Sequence, residues 1–338
     1  MTDRAAIVGD GQMGLVLADA LAERGVAVRL WGRSPQRAKE LARTRKSPRR
    51  LKDFVLSDEI EVTAEDDAVF DGVSLIVNAV PTQFIRPVWQ RLAKHLPVDI
   101  PIACVSKGIE NSTLLTPTQV IADAIGESAE GGRPLCALSG PTIGAELAKR
   151  LPATMVAAAL SDDVSHLVQD MFSVGWLRVY RHDDLIGVEL AGATKNVIAL
   201  AAGMIDGMEV GYNAKSALLA RGLAEIARLG AAMGARVDTF FGVAGVGDLA
   251  TTCFSPLGRN RSCGERIGRG ENLDEILSST VSVVEGVPTT RSVVELAKLH
   301  NVEMPITAAV NAILFEGLDP HEAITTLMKR EPKAEWIG

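Results

Sequence analysis

Arg4-Ala5-Ala6-Ile7-Val8-Gly9-Asp10-Gly11-Gln12-Met13-Gly14 is the stretch that decides the fold. Arg4 to Gly9 is a short apolar run and reads as a strand. Gln12 to Arg24 spaces its apolar residues for a helix that ends at Gly25, a residue suited to a C-cap. The turn between them has the GxGxxG spacing. That pattern is weak alone, but a strand before it and a helix after it make it a dinucleotide-binding signature. Gly9 permits the tight turn, Gly11 lets the backbone reach a pyrophosphate, and Gly14 lets the helix pack on the strand. The helix start then offers free N–H groups and a partial positive charge to the phosphates.

The pattern continues outward from this unit. Val26 to Trp31 reads as a second strand, and Ser34 to Leu41 as a helix with a Ser cap and Pro35 at its first position. Val73 to Val80, Ile102 to Ser106, Leu135 to Ser139 and Thr154 to Ala159 read as further strands, apolar enough to be buried on both faces. Strands alternating with helices predict a mostly parallel, doubly wound sheet. From Val188 onward only helical patterns follow: Val188 to Met204, Asn213 to Met233, Leu273 to Leu277, Thr289 to Leu299 and Thr307 to Glu316. The expected architecture is an α/β Rossmann-like N-terminal domain, residues 1–187, followed by an all-α C-terminal domain, residues 188–338. The length of 338 residues suits two domains.

Composition narrows the function. A net charge of −7 disfavours a general nucleic-acid binder, which needs excess Lys and Arg. The basic segment Arg43, Arg45, Lys46, Arg49, Arg50 and Lys52 lacks interleaved aromatics. It reads first as a solvated helix-and-loop face, and second as an added hold on an anionic ligand. The start of the chain lacks a secretory pattern, and the best apolar run, Asn196 to Ile205, is too short to span a membrane, so a cytoplasmic protein is expected. Cys104, Cys136, Cys253 and Cys263 form no CxxC pair and have no His at ligand spacing, so no metal site is expected.

The cofactor follows from the second strand. An NAD site commonly has Asp or Glu at its end, and Leu30-Trp31-Gly32-Arg33-Ser34 has none. Arg33 suits a 2′-phosphate, which favours NADP over NAD.

The chemistry concentrates in Gly187 to Leu200, GVELAGATKNVIAL, where Lys195 stands in an otherwise apolar helix. Burial lowers a lysine's pKa, and a shift from ~10.4 to about 7–8 makes it a usable general acid and base at a cost of about 3–4 kcal/mol. Asn196 offers a neutral hydrogen bond beside it. Lys107 follows a strand at the carboxyl edge of the sheet. Thr142 of Ser139-Gly140-Pro141-Thr142 suits an oxyanion, and Arg259 in a loop after Pro256 offers a bidentate fork for phosphate. Asp248 ends the glycine-rich turn Gly242 to Asp248, where it can orient Lys195 or accept a substrate hydroxyl.

Together these segments resemble the NAD(P)-dependent glycerol-3-phosphate dehydrogenases of bacteria. The resemblance spans essentially the whole chain. It is most specific at Gly192 to Ala199, Ser139 to Thr142, Gly242 to Leu249 and Gly258 to Asn260, and Val284 to Gly286 and Glu303 to Ile306 extend it. It implies reversible reduction of dihydroxyacetone phosphate to sn-glycerol 3-phosphate for phospholipid synthesis, in a homodimer. It also implies that Lys195 accepts the proton in oxidation and donates it in reduction, with Asp248 in the catalytic site. Lys107 would touch both cofactor and substrate, and Gly140, Thr142, Gly258, Arg259 and Asn260 would join Asp248 around the substrate. Gly9, Gly11, Gln12, Met13, Gly14, Arg33, Gly144, Arg259, Val283 and Glu285 would contact the cofactor. The chain departs from the family's pattern at Gln12 and Met13, at Ala145, at Gly258 where Ser is usual, and around Lys46 to Val55, which lacks a Tyr-Leu-Pro-Gly loop. Two rival readings are a related dehydrogenase acting on a hydroxy acid and a non-catalytic NADPH-binding protein.

Overall fold

The computed structural model describes residues 3–129, 131–332 and 334. Its strands are β1 (Arg4–Val8), β2 (Ala27–Trp31), β3 (Lys46–Ser47), β4 (Leu51–Val55), β5 (Glu61–Thr63), β6 (Leu75–Asn78), β7 (Ile102–Cys104), β8 (Leu135–Ser139), β9 (Ala153–Ala159) and β10 (Leu177–His182). Six α-helices accompany them: α1 (Gln12–Glu23), α2 (Pro35–Thr44), α3 (Ile85–Leu92), α4 (Pro117–Ile125), α5 (Gly144–Leu147) and α6 (Asp162–Phe172). Eight follow: α7 (Leu185–Gly207), α8 (Tyr212–Ala232), α9 (Asp248–Phe254), α10 (Arg259–Gly268), α11 (Leu273–Ser279), α12 (Gly286–Leu299), α13 (Pro305–Phe315) and α14 (Pro320–Met328).

The chain divides into two units. The first comprises Met1–Ser106 and Pro117–Leu185, and the second Lys107–Thr116 and Ile186–Gly338. A single division after residue 187 therefore misses one segment. Lys107–Thr116 leaves the sheet after β7 and buries Ile109 in the helical core.

In the first unit, eight strands form one sheet in the order β10-β9-β8-β7-β6-β1-β2-β5. All neighbours are parallel except β8 and β9. The chain winds outward from β1 through β2 to β5, then returns to pair β6 with β1. The carboxyl ends of β1 and β6 thus form the switch point at which open α/β sheets bind ligands. Ala5, Ile7, Leu75 and Val77 are buried with Leu15, Val16 and Leu21 of α1 in the core of this unit. The caps follow the sequence: Ser34 accepts from the Arg37 N–H at the start of α2, with Pro35 in the first turn.

Several elements were not expected. β5 is a three-residue edge strand, and β10 alternates buried Leu177 and Val179 with exposed Arg178 and Tyr180. The basic segment is a hairpin, β3 with β4, rather than only helix and loop. In the second unit α9, α10 and α14 are added to the expected helices. Arg259 opens α10 instead of lying in a loop, and Val243–Gly247 is a helical run leading into α9 at Asp248 instead of a turn.

The axis of the helical unit is α7. Its 23 residues are long and apolar enough to cross a membrane, contrary to the shorter run read from sequence, but 83% of the apolar window is buried within the protein. Its apolarity serves packing. α10 crosses it at backbone contact: a Cβ on Gly264 would stand 2.0 Å from the Leu200 carbonyl oxygen, and one on Gly203 1.9 Å from that of Arg261. Glycines on both helices permit this approach, which carries the start of α10 to the middle of α7.

Candidate active site

On the sheet unit, the glycine turn lies at the switch point. Gly9 adopts φ +122°, and its N–H donates to the Trp31 carbonyl at 2.9 Å. A Cβ on Gly14 would meet the Gly9 carbonyl oxygen at 1.9 Å, so helix α1 can start this close to β1 only with glycine there. Gly11 is the N-cap of α1 and no side chain caps the helix. Around Gly11 there is open space, with only the Ala79 carbonyl 4.0 Å from an added Cβ. An uncapped helix start behind an open glycine backbone fits a dinucleotide pyrophosphate.

The departures Gln12 and Met13 have structural places. Met13 packs on the sheet core. The Gln12 side chain lies across Gly144, whose added Cβ would stand 2.6 Å from Gln12 Cγ, and its Nε2 donates to the Arg50 carbonyl at 3.3 Å. One side chain therefore ties the glycine turn to the basic hairpin and to the start of α5. Gly140 adopts φ +149° against β9, and Thr142 Oγ1 donates to the Gly140 carbonyl at 3.1 Å. Arg33 is exposed just after β2.

On the helical unit, Lys195, Asp248 and Lys107 converge. Asp248 is buried, and its carboxylate bridges the two lysines: Oδ1 is 2.7 Å from Lys195 Nζ and Oδ2 is 2.7 Å from Lys107 Nζ. Lys195 also donates to Thr252 Oγ1, whose own hydroxyl donates to the Asp248 carbonyl at 2.7 Å. Asp248 and Thr252 thus engage two of the three ammonium hydrogens of Lys195, and the third has no partner among the described residues. Burial lowers the Lys195 pKa to about 8. The Asp248 carboxylate opposes that shift and Lys107 adds to it.

Asn196 is a clamp. Its Nδ2 donates to the Lys107 carbonyl at 3.0 Å, and its Oδ1 accepts from Asn260 Nδ2 at 2.8 Å. Asn260 Oδ1 accepts in turn from the Gly286 N–H at 2.9 Å. The two amides lock the Lys107 segment, α7, α10 and α12 together, so the lysines and the start of α10 share one frame. Gly258 is the N-cap of α10 and supplies no side-chain cap. No side-chain hydroxyl at position 258 competes for the N–H groups at the start of α10. Exposed Arg259 donates to the Val283 carbonyl at 3.1 Å, and Glu285 is the N-cap of α12.

The structure therefore places Lys107, Lys195, Asp248, Gly258, Arg259, Asn260, Val283 and Glu285 on the helical unit. Gly9, Gly11, Gln12, Met13, Gly14, Arg33, Gly140, Thr142 and Gly144 lie on the sheet unit. Sequence reasoning missed Thr252. Its signal was the i, i+4 spacing from Asp248 on one helix, invisible while Gly242–Asp248 was read as a turn. Among the described residues, no group of three His, Cys, Asp or Glu side chains is arranged to hold a metal ion.

A dinucleotide turn at a switch point, with a buried lysine of lowered pKa in a helical second unit, defines an NAD(P)-dependent dehydrogenase. Comparison with known proteins specifies which. Residues 4–165 match the family model for the N-terminus of NAD-dependent glycerol-3-phosphate dehydrogenase, and residues 184–325 the model for its C-terminus. The chain is 42% identical over 329 residues to the glycerol-3-phosphate dehydrogenase (NAD(P)+) of Syntrophotalea carbinolica, covering 97% of this chain and 98% of the relative. It is 44% identical over 332 residues to one of Salinibacter ruber, covering 98% and 97%. The crystal structure of glycerol-3-phosphate dehydrogenase from Coxiella burnetii superposes with a TM-score of 0.92 at 33% identity, covering 97% of this chain and 99% of that one. The chain belongs to the NAD-dependent glycerol-3-phosphate dehydrogenase family.

Proposed function

We infer that this protein reversibly reduces dihydroxyacetone phosphate to sn-glycerol 3-phosphate with NAD(P)H and so supplies glycerol 3-phosphate for phospholipid synthesis. The observation that carries the chemistry is the Lys195–Asp248–Lys107 cluster, supported by membership of the family over both halves of the chain. When bound, the nicotinamide supplies the hydride. Lys195 does the proton work. As an ammonium it donates its remaining hydrogen to the oxygen that becomes the secondary alcohol, and as an amine it removes that proton in oxidation. A pKa of about 8 keeps both forms accessible near neutrality.

Asp248 and Thr252 hold the Lys195 ammonium in one orientation. Lys107 places a second positive charge beside it, which stabilises negative charge developing on the substrate oxygen. The uncapped start of α10 and the guanidinium of Arg259 bind the substrate phosphate, and this remote binding energy orients the carbonyl. Gly140 and Thr142 supply further contacts to substrate. Gly9 to Gly14, Arg33 and Gly144 hold the cofactor on the sheet unit, and Lys107, Arg259, Val283 and Glu285 complete its contacts. Arg33 favours NADP through the 2′-phosphate. The reading includes a cytoplasmic homodimer, for which sedimentation of the purified chain is the test.

NADPH oxidation with dihydroxyacetone phosphate, run beside a panel of 2-keto and 3-keto acids, tests the substrate. Turnover of a keto acid in place of the triose phosphate overturns it. Lys195→Ala should collapse kcat while the affinity for NADPH is retained; a near-normal kcat in that variant removes Lys195 from the mechanism.

A further inference from the structure

The end of β2 lacks the acidic residue that commonly binds the adenosine ribose hydroxyls of NAD. The structure nonetheless places a carboxylate there. Asp10, the second residue of the glycine turn, leans onto Gly32, the residue after β2. Its Oδ2 lies 3.2 Å from where a Cβ at position 32 would stand. The backbone keeps it there. The Gly9 N–H donates to the Trp31 carbonyl, so the turn and the end of β2 are joined one residue before Asp10 and one before Gly32. Gly32 is buried and leaves no room for a side chain beside this carboxylate without crowding it.

Asp10 is half-buried and has neither a hydrogen-bond nor an ion-pair partner among the described residues. Arg33, the next residue after Gly32, is exposed and likewise has neither partner among the described residues. Most other arginines of the sheet unit are engaged, as Arg29 with Glu61, Arg45 with Asp58 and Arg91 with Asp66 illustrate. An unpaired carboxylate and an unpaired guanidinium thus flank one glycine at the strand end. Among the described residues no protein group competes for either side chain, and both stand beside the strand end where a dinucleotide's adenosine ribose binds.

We propose that Asp10 accepts the adenosine ribose hydroxyls of NAD in place of the missing β2 carboxylate, and so sets how far this chain discriminates between NAD and NADP against the pull of Arg33. This rests on the assignment of the glycine turn to NAD(P). A vicinal diol donates two hydrogen bonds to a carboxylate, whereas a 2′-phosphate is repelled by it and attracted by Arg33. The two side chains pull the preference in opposite directions, and neither excludes the other cofactor.

The test needs no turnover. Isothermal titration of the full chain with ADP-ribose and with 2′-phospho-ADP-ribose measures the two adenosine ends directly. The wild type should bind both. Asp10→Asn should weaken ADP-ribose about tenfold and leave the 2′-phosphate ligand equal or tighter, and Asp10→Ala should shift the ratio the same way. Arg33→Ala should shift it oppositely. An unchanged ratio in both Asp10 variants, or parallel loss of both ligands, overturns the role of Asp10 and leaves the cofactor assignment intact. Failure of the wild type to bind either ligand overturns both.

Discussion

Lys195 Nζ and Asp248 Oδ1 lie 2.7 Å apart inside the helical unit, and the other oxygen of the same carboxylate holds Lys107. One negative charge thus serves two positive ones. The arrangement leaves Lys195 with a pKa of about 8, because burial outweighs the attraction of Asp248. Without the carboxylate, two ammonium groups would face each other with no counter-charge between them. Asp248 therefore limits how far burial lowers the pKa of the lysine, and fixes its position.

The direction of the reaction decides the sign of its pH dependence. Reduction needs the Lys195 ammonium, so its rate should fall as pH rises through about 8. Oxidation needs the amine, so its rate should rise over the same interval. Asp248→Asn removes the influence that holds the pKa up, and both transitions should move to lower pH. Rate profiles in the two directions check this; profiles that stay in place in the Asp248 variant detach the titration from Lys195.

Asp248→Ala should also cost stability. It leaves Lys195 buried without a counter-ion, and breaking a buried ion pair from one side costs about 3–5 kcal/mol. Urea denaturation of variant and wild type at pH 7 measures the difference. Lys195→Met removes one of the two facing ammoniums along with the partner it needs, and in the Asp248→Ala background it should recover part of the loss. Strict additivity of the two substitutions contradicts the coupling.

Thr252→Val keeps the shape of the side chain and removes the hydroxyl that accepts from Lys195. The ammonium loses one fixed partner, and kcat should fall about tenfold with KM for dihydroxyacetone phosphate little changed. Steady-state kinetics separates this from a loss of phosphate binding, which raises KM instead.

The crossing of α7 and α10 carries the site into register. Gly264→Ala would drive a methyl group to 2.0 Å from the Leu200 carbonyl oxygen and force the helices apart. The expected loss is about 3 kcal/mol, seen as a lower Tm, with reduced activity because Asn260 can no longer reach Asn196. Retained Tm and activity would show that the crossing tolerates a wider spacing.

Much of the first unit was legible because its signals are local. Val8-Gly9 through Gly14, the Ser34–Pro35 start and the apolar strands carry their meaning within a few residues. Lys195 was legible because a charge in the middle of so apolar a helix is forced into the interior, where only a ligand or a counter-ion offsets its desolvation. What stayed hidden is non-local or low in contrast. α10 reads Arg-Asn-Arg-Ser-Cys-Gly-Glu-Arg-Ile-Gly, whose glycines weaken any helical pattern and make sense only against the backbone of α7. β5 and β10 are edge strands whose exposed residues dilute the apolar signal. The capture of Lys107–Thr116 by the helical unit depends on the burial of Ile109 and on the bond from Asn196 to Lys107, 89 positions apart in the chain. No pattern within either segment points to the other.

Glu225 offers a stability test away from the active site. It is buried on α8 and caps another helix, accepting from the Ile306 N–H at 2.7 Å and the Thr307 N–H at 3.2 Å at the start of α13. Burial pushes its carboxyl up to about 7, against the opposing pull of those hydrogen bonds. A pKa raised in the folded state means that the native protein holds the proton more tightly than the unfolded chain. The associated stability is complete below the ordinary glutamate range and is lost as pH rises through about 7. Glu225→Gln stays neutral throughout. The Tm of the wild type relative to that variant should therefore decline between pH 5 and pH 8, by the equivalent of about 3 kcal/mol. A difference that stays constant, or grows with pH, would show that the hydrogen bonds from α13 dominate and hold Glu225 ionised.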